Sequence, residues 1–294
     1  MSRRAKVWTA LWAVYVIWGS TYLFIAFSVE TIPPLVGVST RFLAAGAIMA
    51  AIVARRGGTM RVSARELASC TLIGALLPGA NAVLFLAERD TPSGLASLLI
   101  ASVPLLVVLL RLWGRERIRP RRLAGIAVGF AGVAVLVRPS GGATATGVAL
   151  CLVSALMWSA GTVAGARLHL PRDAFAATAW EMLAGGVLLA PFAVATAGDV
   201  SPSAGSALSW AYLVTMGSVV GYTAYTWLLA HAPLATVSTY AYVNPVVAIL
   251  LGVLFRGERL SGQILVGAAL VVAAVAVVVR QEPPAATAPE EGVR

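Results

Sequence analysis

Charge is scarce in this chain. Among its 294 residues, Asp, Glu, Lys and Arg make up 12%, about half the roughly 25% of an ordinary soluble domain. Hydrophobic residues reach 59% and the mean hydropathy is +0.87. A soluble fold of this length has too little interior to hide so much apolar side chain. That excludes a secreted, disordered or nucleic-acid-binding soluble protein. The two cysteines, Cys70 and Cys151, form no disulfide framework and no metal-ligand spacing. Two histidines, His169 and His231, build no histidine-rich metal site. No Gly-x-x-x-x-Gly-Lys-Ser/Thr loop is present, which argues against ATP-driven pumping. No cofactor and no metal are expected.

What the chain has is apolar length. A helix needs about 20 mostly apolar residues to cross a hydrocarbon core of ~30 Å. Ten stretches meet or approach this: 7–27, 35–54, 67–86, 93–110, 123–137, 147–166, 174–197, 208–230, 234–255 and 260–279. Only two contain a charge, Arg41 and Glu181. The shortest, 123–137, is flanked by Arg122 and Arg138, whose long side chains reach outward to cover the mismatch. Outer-membrane strands are ~10 residues long and alternate in polarity, whereas these runs are longer and apolar on every face. The chain therefore reads as an all-α integral membrane protein of ten transmembrane helices. The N-terminal run of 21 residues exceeds the 7–15 of a signal-peptide core, so it reads as a retained first span.

The net charge of +10 is an orientation signal once sorted by loop. With the N-terminus cytoplasmic, 17 of the 22 Lys and Arg residues fall on the inner side and 4 on the outer, with Arg41 inside a span. The excess of basic residues predicts both termini inside. Arg256 and Arg259 run against this trend. The topology puts Cys70 and Cys151 at opposite ends of their spans, so no disulfide joins them. The Pro- and Glu-bearing stretch 281–294 reads as a disordered cytoplasmic tail.

The halves resemble each other. Trp18 aligns with Trp158, and Arg41-Phe-Leu-Ala-Ala-Gly46 with Glu181-Met-Leu-Ala-Gly-Gly186, at an offset of 140. Pro92 and Pro104 align with Pro233 and Pro245 at 141; Glu116-Arg117 aligns with Glu258-Arg259 at 142. Gly125 and Gly267, and Arg138 and Arg280, share the offset of 142. Five spans is an odd number, so the second copy enters the membrane from the opposite side. Residues 1–140 and 147–280 then form two inverted five-helix repeats, a plan of secondary transporters with the solute route at the repeat interface.

These residues carry a family resemblance. Trp18-Gly19-Ser20-Thr21, Arg41-Phe42, Asn81, Glu88, Pro92-Ser93-Gly94-Leu95-Ala96 and Pro104 recur in order in the first half. Tyr240-Ala241-Tyr242-Val243-Asn244-Pro245-Val246-Val247-Ala248 and Gly257-Glu258-Arg259-Leu260 follow in the second. The chain resembles the EamA family of the drug/metabolite transporter superfamily, in its YedA-like permease subgroup. The resemblance implies a multi-pass cytoplasmic (inner) membrane protein exporting small metabolites, amino acids or drugs. Arg115, inserted between Gly114 and Glu116, and the charged Glu181 depart from the pattern.

Several residues are candidates for the work. Pro104 and Pro245 lie near the centres of the fourth and ninth spans, where proline removes a backbone donor and clashes with the carbonyl four residues back. Paired interruptions are the best sequence pointer to a transport site. The ninth span also carries Ser238, Thr239, Tyr240, Tyr242 and Asn244, with Tyr240 and Asn244 on one face. Asn81 and Glu88 share a face around the third span. Asn81 reads as cavity-lining; Glu88 reads as a proton site at the outer mouth or part of a solvated turn with Arg89 and Asp90. Trp8, Trp12, Tyr15, Trp18 and Tyr22 run along one helix face at spacings of 4, 3, 3 and 4. Trp8 and Trp12 fit interfacial anchors, while Trp18, Tyr22, Trp158, Tyr222 and Tyr225 fit a cavity wall. Glu181, two turns into its span, is the first proton-coupling candidate, since intramembrane carboxylates mark proton relays. A structural pair with an Arg is the alternative. Arg41, ~9 Å from its helix end by rise per residue, reads as snorkelling to the interface. Close Gly pairs such as Gly161/Gly165 and Gly217/Gly221 allow helices to approach.

The function expected is a secondary transporter, a non-enzyme, whose partners are a small-molecule substrate and the lipid bilayer, with no nucleic acid. Monomer and homodimer are both open. The competing reading is an intramembrane lipid-modifying enzyme, for which His169-Leu-Pro-Arg-Asp173 supplies the only close His/Asp pair.

Overall fold

A computed structural model describes residues 2–113, 120–136, 143–198, 200–232, 234–237 and 239–280. Gly114–Arg117, Arg138, Pro233, Ser238 and the tail 281–294 lie outside the described residues, as do the side chains of Arg122, Tyr242 and Arg280. Every regular element among the described residues is a helix: α1 (Arg3–Ser28), α2 (Pro34–Arg55), α3 (Ala64–Ala87), α4 (Ser93–Ile100), α5 (Val103–Trp113), α6 (Pro120–Leu136), α7 (Ala145–Gly165), α8 (Ala174–Ala195), α9 (Ala204–Tyr212), α10 (Gly221–His231), α11 (Leu234–Val237), α12 (Tyr240–Arg256) and α13 (Gly262–Arg280). A π-helical stretch, Leu213–Val220, joins α9 to α10.

Local chemistry sets the starts. Ser63 and Glu66 form a capping box at α3, each side chain bonding the other's backbone N–H. Thr144, Asp173 and Ser203 cap α7, α8 and α9 with side-chain oxygens. Pro34 opens α2 where its missing N–H costs nothing. Among the described residues, length and apolarity make six helices able to cross a membrane: α1, α2, α3, Ser93–Leu112, α7 and α8. The apolar parts of α6, α12 and α13 are shorter, at Ala124–Leu136, Val243–Arg256 and Gly262–Val277. Apolar side chains face outward along the bundle: Leu208 is 72% exposed and Leu254 73%. No soluble surface carries such a coat, so these faces meet lipid.

Two expected spans are broken, and one is widened. In the fourth, Ala101 and Ser102 leave the helix, and Ser102 Oγ donates to the Leu99 carbonyl at 2.6 Å. Pro104 is the second residue of α5, and the carbonyl its ring displaces belongs to Ile100, the last residue of α4. The ninth span breaks at the turn residue Thr239, not at Pro245. Pro245 sits inside a continuous α12; its missing N–H forfeits one bond, to Ala241, near the helix start. The eighth runs unbroken from Ala204 to His231 with its middle in π form.

Glycines let the backbones touch at the bundle centre. A Cβ on Gly74 of α3 would come 2.6 Å from the Glu181 carbonyl and 2.7 Å from the Gly185 nitrogen of α8. A Cβ on Gly46 of α2 would come 2.8 Å from Leu183 Cγ, and one on Gly186 2.7 Å from Leu43 Cγ. Ser39 Oγ crosses the same seam to the Gly186 carbonyl at 2.9 Å. Gly74→Ala should therefore lower stability by roughly 1–3 kcal/mol through overpacking. Gly262, with nothing within 4 Å of its notional Cβ, should accept Ala without loss. Thermal unfolding of both variants in detergent checks this, and equal melting of Gly74→Ala and the parent would contradict it.

Candidate functional site

The breaks in the fourth and ninth spans face one cavity of about 120 Å³. Its walls come from α1 (Trp18, Tyr22), α3 (Asn81), the α4–α5 junction (Ala101, Pro104), α7 (Ser154, Trp158), the π-helical stretch and α10 (Gly217, Tyr222) and α12 (Tyr240, Asn244, Pro245). Of the residues singled out from sequence, Trp18, Tyr22, Asn81, Trp158, Tyr222, Tyr240 and Asn244 border it together, with Pro104 and Pro245. Tyr225 does not. It packs behind Trp18 and Tyr240, with ring centroids 5.1 and 5.8 Å away.

Trp18 is the hub of the wall. Its ring lies 5.5 Å from Tyr222 and 5.2 Å from Tyr240, both edge-on, the arrangement aromatic quadrupoles prefer. Its indole N–H donates to the Gly217 carbonyl at 3.1 Å. That carbonyl lies in the π-helical stretch, where wide turns present backbone groups an α-helix would engage elsewhere, a common feature of functional sites. The aromatic stripe of α1 divides along its length. Trp8 and Trp12 are exposed, while Tyr15, Trp18 and Tyr22 turn inward. Asn81 donates its side-chain N–H to the Leu77 carbonyl at 3.2 Å. Its neighbour Ser154 donates to the Ala80 carbonyl at 2.7 Å, tying α7 to α3.

Two polar residues, Arg41 and Glu88, depart from expectation. Arg41 does not snorkel. It is 4% exposed, turned inward to the cavity, with its Nε donating to Ser218 Oγ at 3.0 Å. Glu88 is no part of a solvated turn. It is 5% exposed, away from the cavity lining, and neither carboxylate oxygen has a partner among the described residues. Glu181 is half-buried on α8 outside the cavity lining, within electrostatic reach of Tyr222 and Cys70. Its repeat mate Arg41 is not its partner.

Sequence reasoning also missed a polar seam between the end of α12 and the start of α4. Gly257 ends α12 in the left-handed region at φ 64°, and Glu258 N–H closes back on the Gly252 carbonyl at 3.1 Å. This turn aims Glu258 at the start of α4. Its carboxylate accepts from Ser93 N at 2.8 Å, Ser93 Oγ at 2.7 Å and Gly94 N at 3.0 Å. An acceptor supplied from 165 residues away thus serves as the helix cap, favoured by the positive end of the helix dipole. Gly252 and Gly94 leave room for it: a Cβ on Gly252 would come 2.5 Å from a Glu258 oxygen. At the same end Arg256 pairs with Glu30 at 2.7 Å. The Gly-Glu-Arg spacing was visible in sequence; that its carboxylate caps α4 was not. Asp173, in the loop that raised the enzyme alternative, caps α8 through Phe175 N at 2.9 Å. Among the described residues no group of three His, Cys, Asp or Glu gathers to hold a metal, and Cys70 and Cys151 are buried free thiols.

The comparisons agree with this architecture. The EamA-like transporter family model matches residues 7–138 and again 145–280. The uncharacterized inner membrane transporter YedA of Escherichia coli (strain K12) is 41% identical over 263 residues, covering 86% of this chain and 83% of that protein. The probable terminal-alkyne amino-acid exporter of Streptantibioticus cattleyicolor is 30% identical over 283 residues, covering 94% and 95%. A solved crystal structure superposes with a TM-score of 0.66 at 25% identity, over 94% of this chain and 98% of the other.

Glu88 lies just past the end of α3, outside the span. Burial pushes its carboxyl well above the ordinary carboxylate range; the negative Glu258 adds to this and Arg256 opposes it. The folded chain then holds a proton that the unfolded chain releases, so stability falls as pH rises above the ordinary carboxylate value. Glu88→Gln should be more stable than the parent at neutral pH and match it in acid. Thermal unfolding across pH checks this; parallel profiles would contradict it.

Proposed function

The chain belongs to the EamA-like transporter family, and from that premise we propose that it exports small metabolites, amino acids or drugs across the cytoplasmic (inner) membrane by alternating access at the central cavity. The observation that carries this reading is the meeting of two broken helices, α4–α5 and α11–α12, at one aromatic-walled cavity bordered by both halves of the sequence. Interrupted helices paired across a repeat, with the binding site between them, are a recurrent transporter plan.

Ten spans in two inverted five-helix repeats, 1–140 and 147–280, are part of the proposal. The family model's two matches support it, as does the packing. α2 lies on α8 and α6 on α13, each against its own repeat mate. The contact of α3 with α7 has its counterpart in that of α1 with the α9–α10 rod. The contact of α1 with α12 has its counterpart in that of α4 and α5 with α7. The basic-residue bias supports both termini in the cytoplasm. In that orientation the Glu258 and Arg256 contacts close the outer end. α4 packs on α12 there, while α5 packs on α7 instead, which supports a cavity that opens inward. Inversion supplies the second state: the halves exchange which end is sealed. One chain carries every wall of the cavity.

Coupling to protons is assigned to Glu181, a half-buried carboxylate within a span. Uptake or counterflow in proteoliposomes, over a panel of amino acids and cationic drugs with and without a pH gradient, tests the whole. The parent should move at least one solute against its gradient. Trp18→Ala should lower the rate by about ten-fold or more, as expected for loss of a buried aromatic anchor worth ~2 kcal/mol. Glu181→Gln should retain solute exchange and lose the response to pH. No flux of any solute would overturn the transporter reading; an unchanged pH response would remove Glu181 from coupling.

A further inference from the structure

Buried side-chain polar atoms without a partner occur in two places among the described residues. One is the end of the bundle that carries the Glu258 contacts, at Ser28, Glu88 and Thr91; the other is the cavity, at Arg41 and Asn244. The second place is the informative one. The Arg41 guanidinium is 4% exposed, and no described carboxylate pairs with it. Its Nε is held by Ser218, and its face lies over Phe42 and Phe85 at 5.1 and 5.9 Å. Its other end is not committed: one terminal nitrogen, Nη1, has no acceptor. Gly217 lets the guanidinium sit close against the π-helical backbone, since a Cβ there would come 3.3 Å from Nη2. A guanidinium stays charged in a protein. Burying it without a counter-ion is costly, and an intramembrane charge facing a cavity marks a solute path. Its planar fork matches a carboxylate.

We propose that Arg41 is the anion-binding residue of the cavity, and that the solute carries a carboxylate on a small apolar or aromatic body. The inference rests on reading the cavity as the transport site. Trp18, Tyr22, Tyr222 and Tyr240 supply the apolar wall, and a monocation is repelled. Asn244 refines the fit. Its Oδ1 is a buried acceptor with no donor, bordering the same cavity. It accepts from a second group of the solute, so an ammonium beside the carboxylate, as in an α-amino acid, satisfies both orphaned atoms at once.

Binding to the purified full chain in lipid nanodiscs, followed by calorimetry, tests this without requiring transport. The probes are phenylalanine, 3-phenylpropionate, phenylalaninamide and phenethylamine, which share one ring and differ in head group. Phenylalanine and 3-phenylpropionate should bind at least about ten-fold tighter than the amide and the amine, the size expected for a charged hydrogen bond. Arg41→Gln should lose that margin and Arg41→Lys recover part of it. Asn244→Ala should weaken phenylalanine and leave 3-phenylpropionate unchanged. Amines binding as well as carboxylates, no binding by any of the four, or an Arg41→Gln variant that keeps the carboxylate margin would each overturn the proposal. The head-group comparison on the parent decides it even if a variant fails to fold. Carboxylate binding without flux of any solute would overturn the transporter reading and leave the Arg41 site standing.

Discussion

A bilayer interior offers no hydrogen-bond partners, so each polar group carried into it must find one inside the protein. The rest of this structure depends on that constraint. Apolar helices meet it through their own backbones and need little from each other. Apart from Glu181, which lies outside the cavity lining, the exceptions are concentrated: a helix break at 101–102, a turn at Thr239, a π-helical stretch, and the polar side chains Arg41, Asn81 and Asn244. All border or flank one cavity. Irregular backbone at membrane depth is tolerated where it lines such a space, so the cavity and the broken helices imply each other.

One end of the bundle and its centre are built differently. At one end, charged groups join elements far apart in sequence: Glu258 caps α4 and Arg256 pairs with Glu30. These contacts are polar and end-on, and can break and re-form as water reaches them. At the centre the helices pack closely at Gly74, Gly185, Gly46 and Gly186, with backbone against backbone at Gly74. A Cβ at any of them would collide with the facing helix, so this seam is packed without slack.

Much of this was legible in sequence, and the limits have physical reasons. The spans of α1, α2, α3, α7 and α8 follow from apolar length and capping residues, both local properties. Pro104 marked its break because a proline acts on the carbonyl four residues back. Pro245 did not, since the ninth span gave way six residues earlier, at Thr239. Arg41 was misread because its burial depends on Ser218, 177 residues away. Glu88 looked solvated beside Arg89 and Asp90, yet the chain around it folds over its carboxyl. Glu258 was visible as one half of a repeated Glu-Arg mark, but its role as a cap for α4 is a tertiary fact. Residue type and spacing thus identify what must be buried, while tertiary packing decides which buried group is left without a partner.

The most direct test of the account is the side from which the cavity floor can be reached. A single cysteine in place of Ala101, in a chain whose Cys70 and Cys151 are replaced by Ser, is exposed in oriented membrane vesicles to a membrane-impermeant thiol reagent. The solute-free protein should be modified from the face bearing the N-terminus and protected from the other. Modification only from the opposite face, or from neither, would contradict it.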